Sequence, residues 1–178
     1  MQIQTKVSGT LSTQLVGAFE SNDTRYTSWV RKVTTTVDPL GTFYLATKYN
    51  SSVNGVEYLV MLRVAEQYLI RAEARARQNN LTGAKADINA VRNRSGLGNT
   101  TAATQADLLT AILHERQVEL FTEQGQRFFD LRRTGNLDAV MNVVAPGKGG
   151  TWATFRQYWP IPTVDLLSNP NLKQTPGY

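Results

Sequence analysis

The chain has 178 residues, 41% hydrophobic and 19% charged, enough for an ordinary globular core and outside the disordered class. It contains no cysteine, which excludes disulfides, thiolate metal sites and a cysteine nucleophile, and its longest apolar runs are too short to span a bilayer. The formal charge of +5 does not mark a nucleic-acid face, because arginines alternate with glutamates, as in Glu73/Arg77 and Glu123/Arg127 at i,i+4 spacing.

In chain order, Leu11 to Phe19 is predicted as a short helix capped by Ser12 or Thr13. Tyr26 to Val37 alternates and is rich in β-branched residues, so it is predicted as a strand. Asp38-Pro39-Leu40-Gly41 predicts a turn and Thr42 to Tyr49 a second strand, giving a hairpin, followed by a polar loop over Asn50–Gly55. From Val56 to about Gln78 the period becomes helical, with Leu59, Leu62, Ala65, Leu69, Ala72 and Ala76 on one stripe. A second helix runs to about Arg94, with Thr82 read as its cap, Ala84, Ile88 and Val91 facing inward and Gly96 as its stop. The two form a helix pair of tetratricopeptide size. Thr104-x-x-Asp107 resembles a capping box opening a third helix to about Glu123. Gly125 breaks the chain before a short helix through Arg133, stopped by Gly135. Residues 142–154 are glycine-rich and irregular, and the tail, with Pro160, Pro162, Pro170 and Pro176, is predicted to be extended. The expected fold is mainly α: tetratricopeptide-like helix pairs, a small β-hairpin, long irregular loops and a C-terminal tail.

No motif carries catalysis. His114 has Val118 at i+4 where a second metal ligand would stand, so it is read as structural. Gly147-Lys148-Gly149 is not a phosphate loop and Ser95-Gly96 is not a nucleophile elbow. No catalytic residue, metal ligand or cofactor is assigned.

One string does carry identity. Glu115 to Gly135, ERQVELFTEQGQRFFDLRRTG, resembles the signature of the SusD/RagB family, with Gln124 as a local departure. Leu62 to Ala76, Asp87 to Leu97, Asp23-Thr24-Arg25, Tyr158 to Pro162 and Asn169 to Tyr178 resemble its other motifs in the expected order. Trp159 is an insertion and Thr175 a replacement relative to those motifs.

The resemblance implies a surface lipoprotein of a Bacteroidetes outer membrane. Such a protein captures nutrients, most often glycans, for a TonB-dependent, SusC-like transporter, and has no catalytic activity. It also implies that residues 1–178 are the C-terminal domain of a longer protein. Met1–Gln4 begins no export signal, so the signal peptide and lipid-bearing cysteine would lie upstream, and the membrane would be reached only through that anchor. The rival readings are a peptide- or protein-interaction module without a small-molecule ligand, and a carbohydrate-active enzyme.

Glu115, Arg116, Glu119, Glu123, Arg127, Asp130 and Arg133 are expected to form a structural ion-pair network. The glutamates repel one another at i,i+4 unless cations arrive from elsewhere, with Arg92, Arg94, Arg132 and Arg133 as candidates. For sugar stacking the candidates are Trp152, in a glycine-rich loop, and Trp29 and Tyr44 on the hairpin. Trp159, beside prolines in the tail, is read as structural.

Overall fold

The computed structural model describes residues 9–35, 41–49, 58 and 60–178. They fall into two compact units, one ending at Gln124 and one spanning Gly125–Tyr178. Residues 36–40 of the expected strand and hairpin turn, the loop at 50–55, and Val56, Glu57 and Leu59 of the helix expected from Val56 lie outside the described residues.

The first unit is organised by three helices, α3 (Val64–Arg77), α4 (Leu81–Arg94) and α5 (Gln105–Glu119). Their facing stripes make one core of Leu69, Ala72, Ala76, Ala84, Ile88, Val91, Leu108 and Ile112. Alanines at 72, 76 and 84 leave little between the backbones, so α3 and α4 pack closely along their length. Asp87, buried on α4, clamps the pair by accepting from Arg71 at 2.7 Å and Arg75 at 2.7 Å. Asn80, not Thr82, caps α4, its side chain accepting from the Gly83 N–H at 2.9 Å. The Thr104/Asp107 capping box opens α5 as its sequence predicts.

Three expectations are corrected. The α3 helix starts at Val64, so Leu62 precedes the stripe and is 80% exposed. Tyr26–Trp29 is helical, not extended: α2 (Thr24–Trp29) is capped by Asp23, and the strand β1 begins only at Val30. The Asp23 carboxylate satisfies the Arg25 N–H at 2.9 Å, a local bond that overrides the β-propensity of the segment. Strand β1 (Val30–Thr34) then pairs antiparallel with β2 (Thr42–Ala46), Val30 opposite Ala46 and Thr34 opposite Thr42. The N-terminal helix α1 is one turn, Thr13–Val16, with Ser12 as its cap.

The second unit holds α6 (Gln126–Arg133), α7 (Leu137–Val144) and α8 (Thr163–Ser168), with a 3-10 turn at Thr154–Gln157. Leu131, Leu137 and Ala145 are buried. The tail is therefore not wholly extended. Pro162 can precede α8 because a proline's fixed φ suits a helix start and its missing N–H has no partner to lose there.

Ile88→Ala is expected to lower unfolding free energy by about 2–5 kcal/mol, while Ile70→Ala, on the exposed side of α3, changes it by under about 0.5 kcal/mol. Urea denaturation of the two variants checks this; equal effects would place the core elsewhere.

Candidate functional site

Two places in the molecule concentrate unusual chemistry. The first is a buried ionic cluster in the first unit. Glu115 and Glu119 on α5 are fully buried, with Glu123 just beyond the helix also buried. Three carboxylates out of water require neutralisation, and each receives it from another part of the chain.

Arg25, itself buried, donates to Glu115 at 2.6 Å, to Glu119 at 3.0 Å and to Asp23 at 2.8 Å. Burial pulls the Arg25 guanidinium towards deprotonation, but the Asp23 hydrogen bonds and the Glu115 charge outweigh it and hold the proton more firmly than usual. The last turn of α4 adds Arg94, 2.6 Å from Glu119, and Arg92, 3.3 Å from Glu115. Arg92 also holds Glu20 through two bonds of 2.6 and 3.0 Å. That bonding keeps the Glu20 carboxyl below the usual carboxylate range. From the other side, Arg63 reaches Glu119 at 2.5 Å and Glu123 at 3.1 Å, and Lys48 reaches Glu123 at 2.9 Å. Five carboxylates thus meet five cations.

Lys48 and Arg63 have a second task. Lys48 donates to the main-chain oxygens of Glu119 at 2.6 Å and Phe121 at 3.1 Å, and Arg63 to that of Glu119 at 3.0 Å. These are carbonyls at the end of α5 that no helical N–H can satisfy, and cations there also complement the helix dipole. Helix α5 stops at Glu119, and Thr122, Gln124 and Gly125 adopt positive φ of 61°, 45° and 70°. A β-branched residue in that region costs on the order of 1–3 kcal/mol, and the cations gathered at the turn supply the compensation. Glu123 and Arg127 therefore share no helix, and Glu123 turns to Lys48 and Arg63 instead.

Trp29 forms a wall of this cluster. Its half-buried ring faces Lys48 Nζ at 4.6 Å and the Arg63 and Arg94 guanidiniums at 5.5 and 5.9 Å. Tyr44 is half-buried opposite Lys32 in the hairpin, and its main-chain oxygen accepts from Leu11. Arg116 lies 3.9 Å from Glu66. In the second unit Arg133 pairs with Asp130 at 2.8 Å, and Arg127 is pushed below the usual arginine range by burial, against the pull of Asp130. His114 Nε2 lies 2.8 Å from the Ala18 oxygen. Glu20, His114 and Glu115 bring ligand-type atoms within 4.8 Å of one another, but Arg92 holds both carboxylates, so the group is an ion pair and not a chelate.

The second place is an aromatic cleft of about 460 Å³ in the second unit. Phe128 and Phe129 line it from α6, edge to face at 5.8 Å, with Tyr158, Trp159 and Tyr178 from the tail. Trp159 is 86% exposed although its main chain is tied down. Its oxygen accepts from the Thr175 hydroxyl at 2.9 Å, and the Gln174 side chain bonds both the N–H and the oxygen of Ile161 at 2.7 and 3.0 Å. Tyr178 donates to the Tyr158 oxygen at 3.0 Å and meets Phe155 edge-on at 4.9 Å. Gly177, at φ 101°, lies against the Phe155 ring, where any Cβ would collide. The NPNLKQTPGY tail is thus a strap that fixes the tryptophan.

The expectation for the two tryptophans is reversed in exposure. Trp152 is half-buried, its indole N–H donating to Asp138 at 2.6 Å, and Thr154 donates to the same carboxylate at 3.1 Å. Glycines around an indole signalled freedom, and Asp138 on α7 withdrew it. The sequence signal for Trp159 was its insertion into the tail motif.

Residues 17–178 match the sequence profile of the SusD family. The chain belongs to the SusD family. It is 34% identical over 123 residues, 66% of its length, to the starch-binding protein SusD of Bacteroides thetaiotaomicron, and 30% identical over 129 residues to a SusD-like protein of Formosa agariphila. It spans 21% and 24% of those two proteins. A SusD superfamily protein from Bacteroides vulgatus shares the fold, with a TM-score of 0.77 at 22% identity, over 95% of this chain and 44% of its own. Over the described residues this SusD-family chain is mainly helical, with a small two-stranded antiparallel sheet.

Two outcomes test the ionic cluster. Glu119→Ala removes an acceptor shared by Arg25, Arg63 and Arg94 and is expected to cost about 3–5 kcal/mol in urea denaturation; an unchanged midpoint would remove the cluster's structural role. Burial pushes the Lys48 ammonium down to about 8 from the usual 10.5. The unfolded chain then binds more protons than the folded one between those values, so the Lys48 contribution to stability rises with pH across that window. Comparing the pH slopes of wild type and Lys48→Met isolates that contribution, and parallel slopes would contradict it.

Proposed function

We propose that this SusD-family chain is the C-terminal domain of a longer, non-catalytic lipoprotein that captures glycans at the outer-membrane surface and hands them to a SusC-like, TonB-dependent transporter. The observation that carries the reading is the aromatic cleft on a chain whose curated relative is a starch-binding protein. Pyranose rings present apolar C–H faces that stack on indole and phenol rings. The strap through Gln174, Thr175 and Tyr178 fixes the backbone beneath Trp159, so little order is lost when a ring settles on it.

The cleft has the features of capture and not of bond cleavage. Among the described residues its lining contains no Asp or Glu side chain, whereas glycoside hydrolysis uses a carboxyl pair across the scissile bond. No helix among the described residues is long and apolar enough to cross a membrane, and an upstream lipid anchor supplies attachment in this reading. Trp29, Tyr44 and Trp152 take a secondary place, since each is half-buried and engaged by neighbours. A second reading, protein interaction, draws on the exposed run of Met61, Leu62 and Val64 in the first unit.

Calorimetric titration with a panel of oligosaccharides tests the proposal. Trp159→Ala is expected to weaken binding about tenfold, roughly the worth of one aromatic stacking contact, with its melting temperature unchanged. Equal affinities would move capture away from this cleft.

A further inference from the structure

We infer that the aromatic cleft of the second unit selects an anionic sugar, a uronic acid or a sulfated pyranose, over a neutral one. The inference rests on the capture reading above and concerns the same cleft.

Charge is unevenly placed along the chain. From Gly125 to Tyr178 there are six Lys and Arg residues against three Asp and no Glu, a net charge of +3 out of the total of +5. Two of those three carboxylates are already engaged. Asp130 is held by Arg133 at 2.8 Å, and Asp138 accepts from Trp152 and Thr154. Among the described residues the sole charged side chain lining the cleft is Arg156. Arg132 stands beside it in effect, with its guanidinium 4.8 Å over the ring of Tyr158, a lining residue. Among the described residues neither Arg132 nor Arg156 is ion-paired.

These donors define the ligand. Arg156 spends one Nη on the Thr151 main-chain oxygen, and its remaining N–H groups, with those of Arg132 stacked over Tyr158, form donors that match a carboxylate or sulfate. A neutral sugar instead offers hydroxyl hydrogens that call for strong acceptors such as carboxylates, and the side chains lining this cleft supply none. The platform of Trp159, Phe129 and Tyr158 fits the face of the ring, and the cations at its edge fit a negative substituent.

The test uses the full chain, titrated by calorimetry and tryptophan fluorescence at low and high ionic strength. Probes are oligogalacturonate and a sulfated oligosaccharide, beside size-matched malto- and xylo-oligosaccharides. Anionic probes are expected to bind about tenfold tighter than neutral ones, with the preference shrinking as salt rises. Arg156→Gln and Arg132→Gln should reduce that preference several-fold by weakening anionic binding more than neutral binding, while Trp159→Ala should weaken both classes alike. Both arginines and Trp159 are exposed, so unchanged melting curves are expected to accompany these effects. Neutral oligosaccharides that bind as tightly as anionic ones, and depend on Trp159, would overturn the anionic inference and leave capture intact. The same holds if the anionic preference survives both arginine substitutions. Failure of every probe to perturb Trp159 would reject the cleft as a capture site altogether.

Discussion

Carboxylates on α5 with no access to water are the constraint on which the first unit depends. Glu115 and Glu119 are fully buried, and an isolated charge in that position costs several kcal/mol after relaxation. The neutralising cations come from four separate stretches: Arg25 after the first turn, Lys48 past β2, Arg63 before α3, and Arg92 and Arg94 at the end of α4. No local segment can satisfy these glutamates. The cluster therefore forms only when those stretches converge, and it ties the N-terminal hairpin region to the three-helix core.

The same arrangement explains the details of the signature motifs. Asp23 caps α2 and at the same time aims Arg25, so one carboxylate sets both the helix start and the position of the central guanidinium. Gly96, at φ 76°, ends α4 where an added Cβ would come within 3.1 Å of Thr24 Cγ2, and the Ser95 oxygen accepts from the Thr24 N–H at 3.0 Å. A side chain at 96 would be strained at that φ and would crowd Thr24 at the start of α2. The charged family residues of the first unit are therefore scaffold. In the proposed reading ligand chemistry falls to the second unit, where aromatic rings are open and two of the three carboxylates are engaged by neighbours.

In the proposed reading, the strap lets a scaffold motif serve the binding surface of the cleft. Gln174 and Thr175 bond to the main chain on either side of Pro160, which fixes Trp159 without covering its ring. Thr175 replaces the family asparagine at this point, and its hydroxyl makes the bond to the Trp159 oxygen. Rigidity of the backbone and exposure of the side chain are what a stacking platform needs.

The sequence by itself determined α3, α4 and α5, because a buried stripe imposes a period of 3.6 that survives without knowledge of partners. It also determined the family, through charged and glycine motifs in register, and the need of Glu115, Glu119 and Glu123 for outside cations. Only the tertiary structure decided which cations answer. Arg92 and Arg94 were legible as candidates, but Lys48 and Arg63 stand in segments whose local pattern carries no trace of a partner some 56 to 75 residues away. It likewise decided that Tyr26–Trp29 is helical, because one Asp23 hydrogen bond outweighs a weak strand propensity. The exchange between Trp152 and Trp159 has the same origin. Whether an indole is free depends on a carboxylate 14 residues before it or a hydroxyl 16 residues after it, and those distances are set by folding, not by neighbours in the chain.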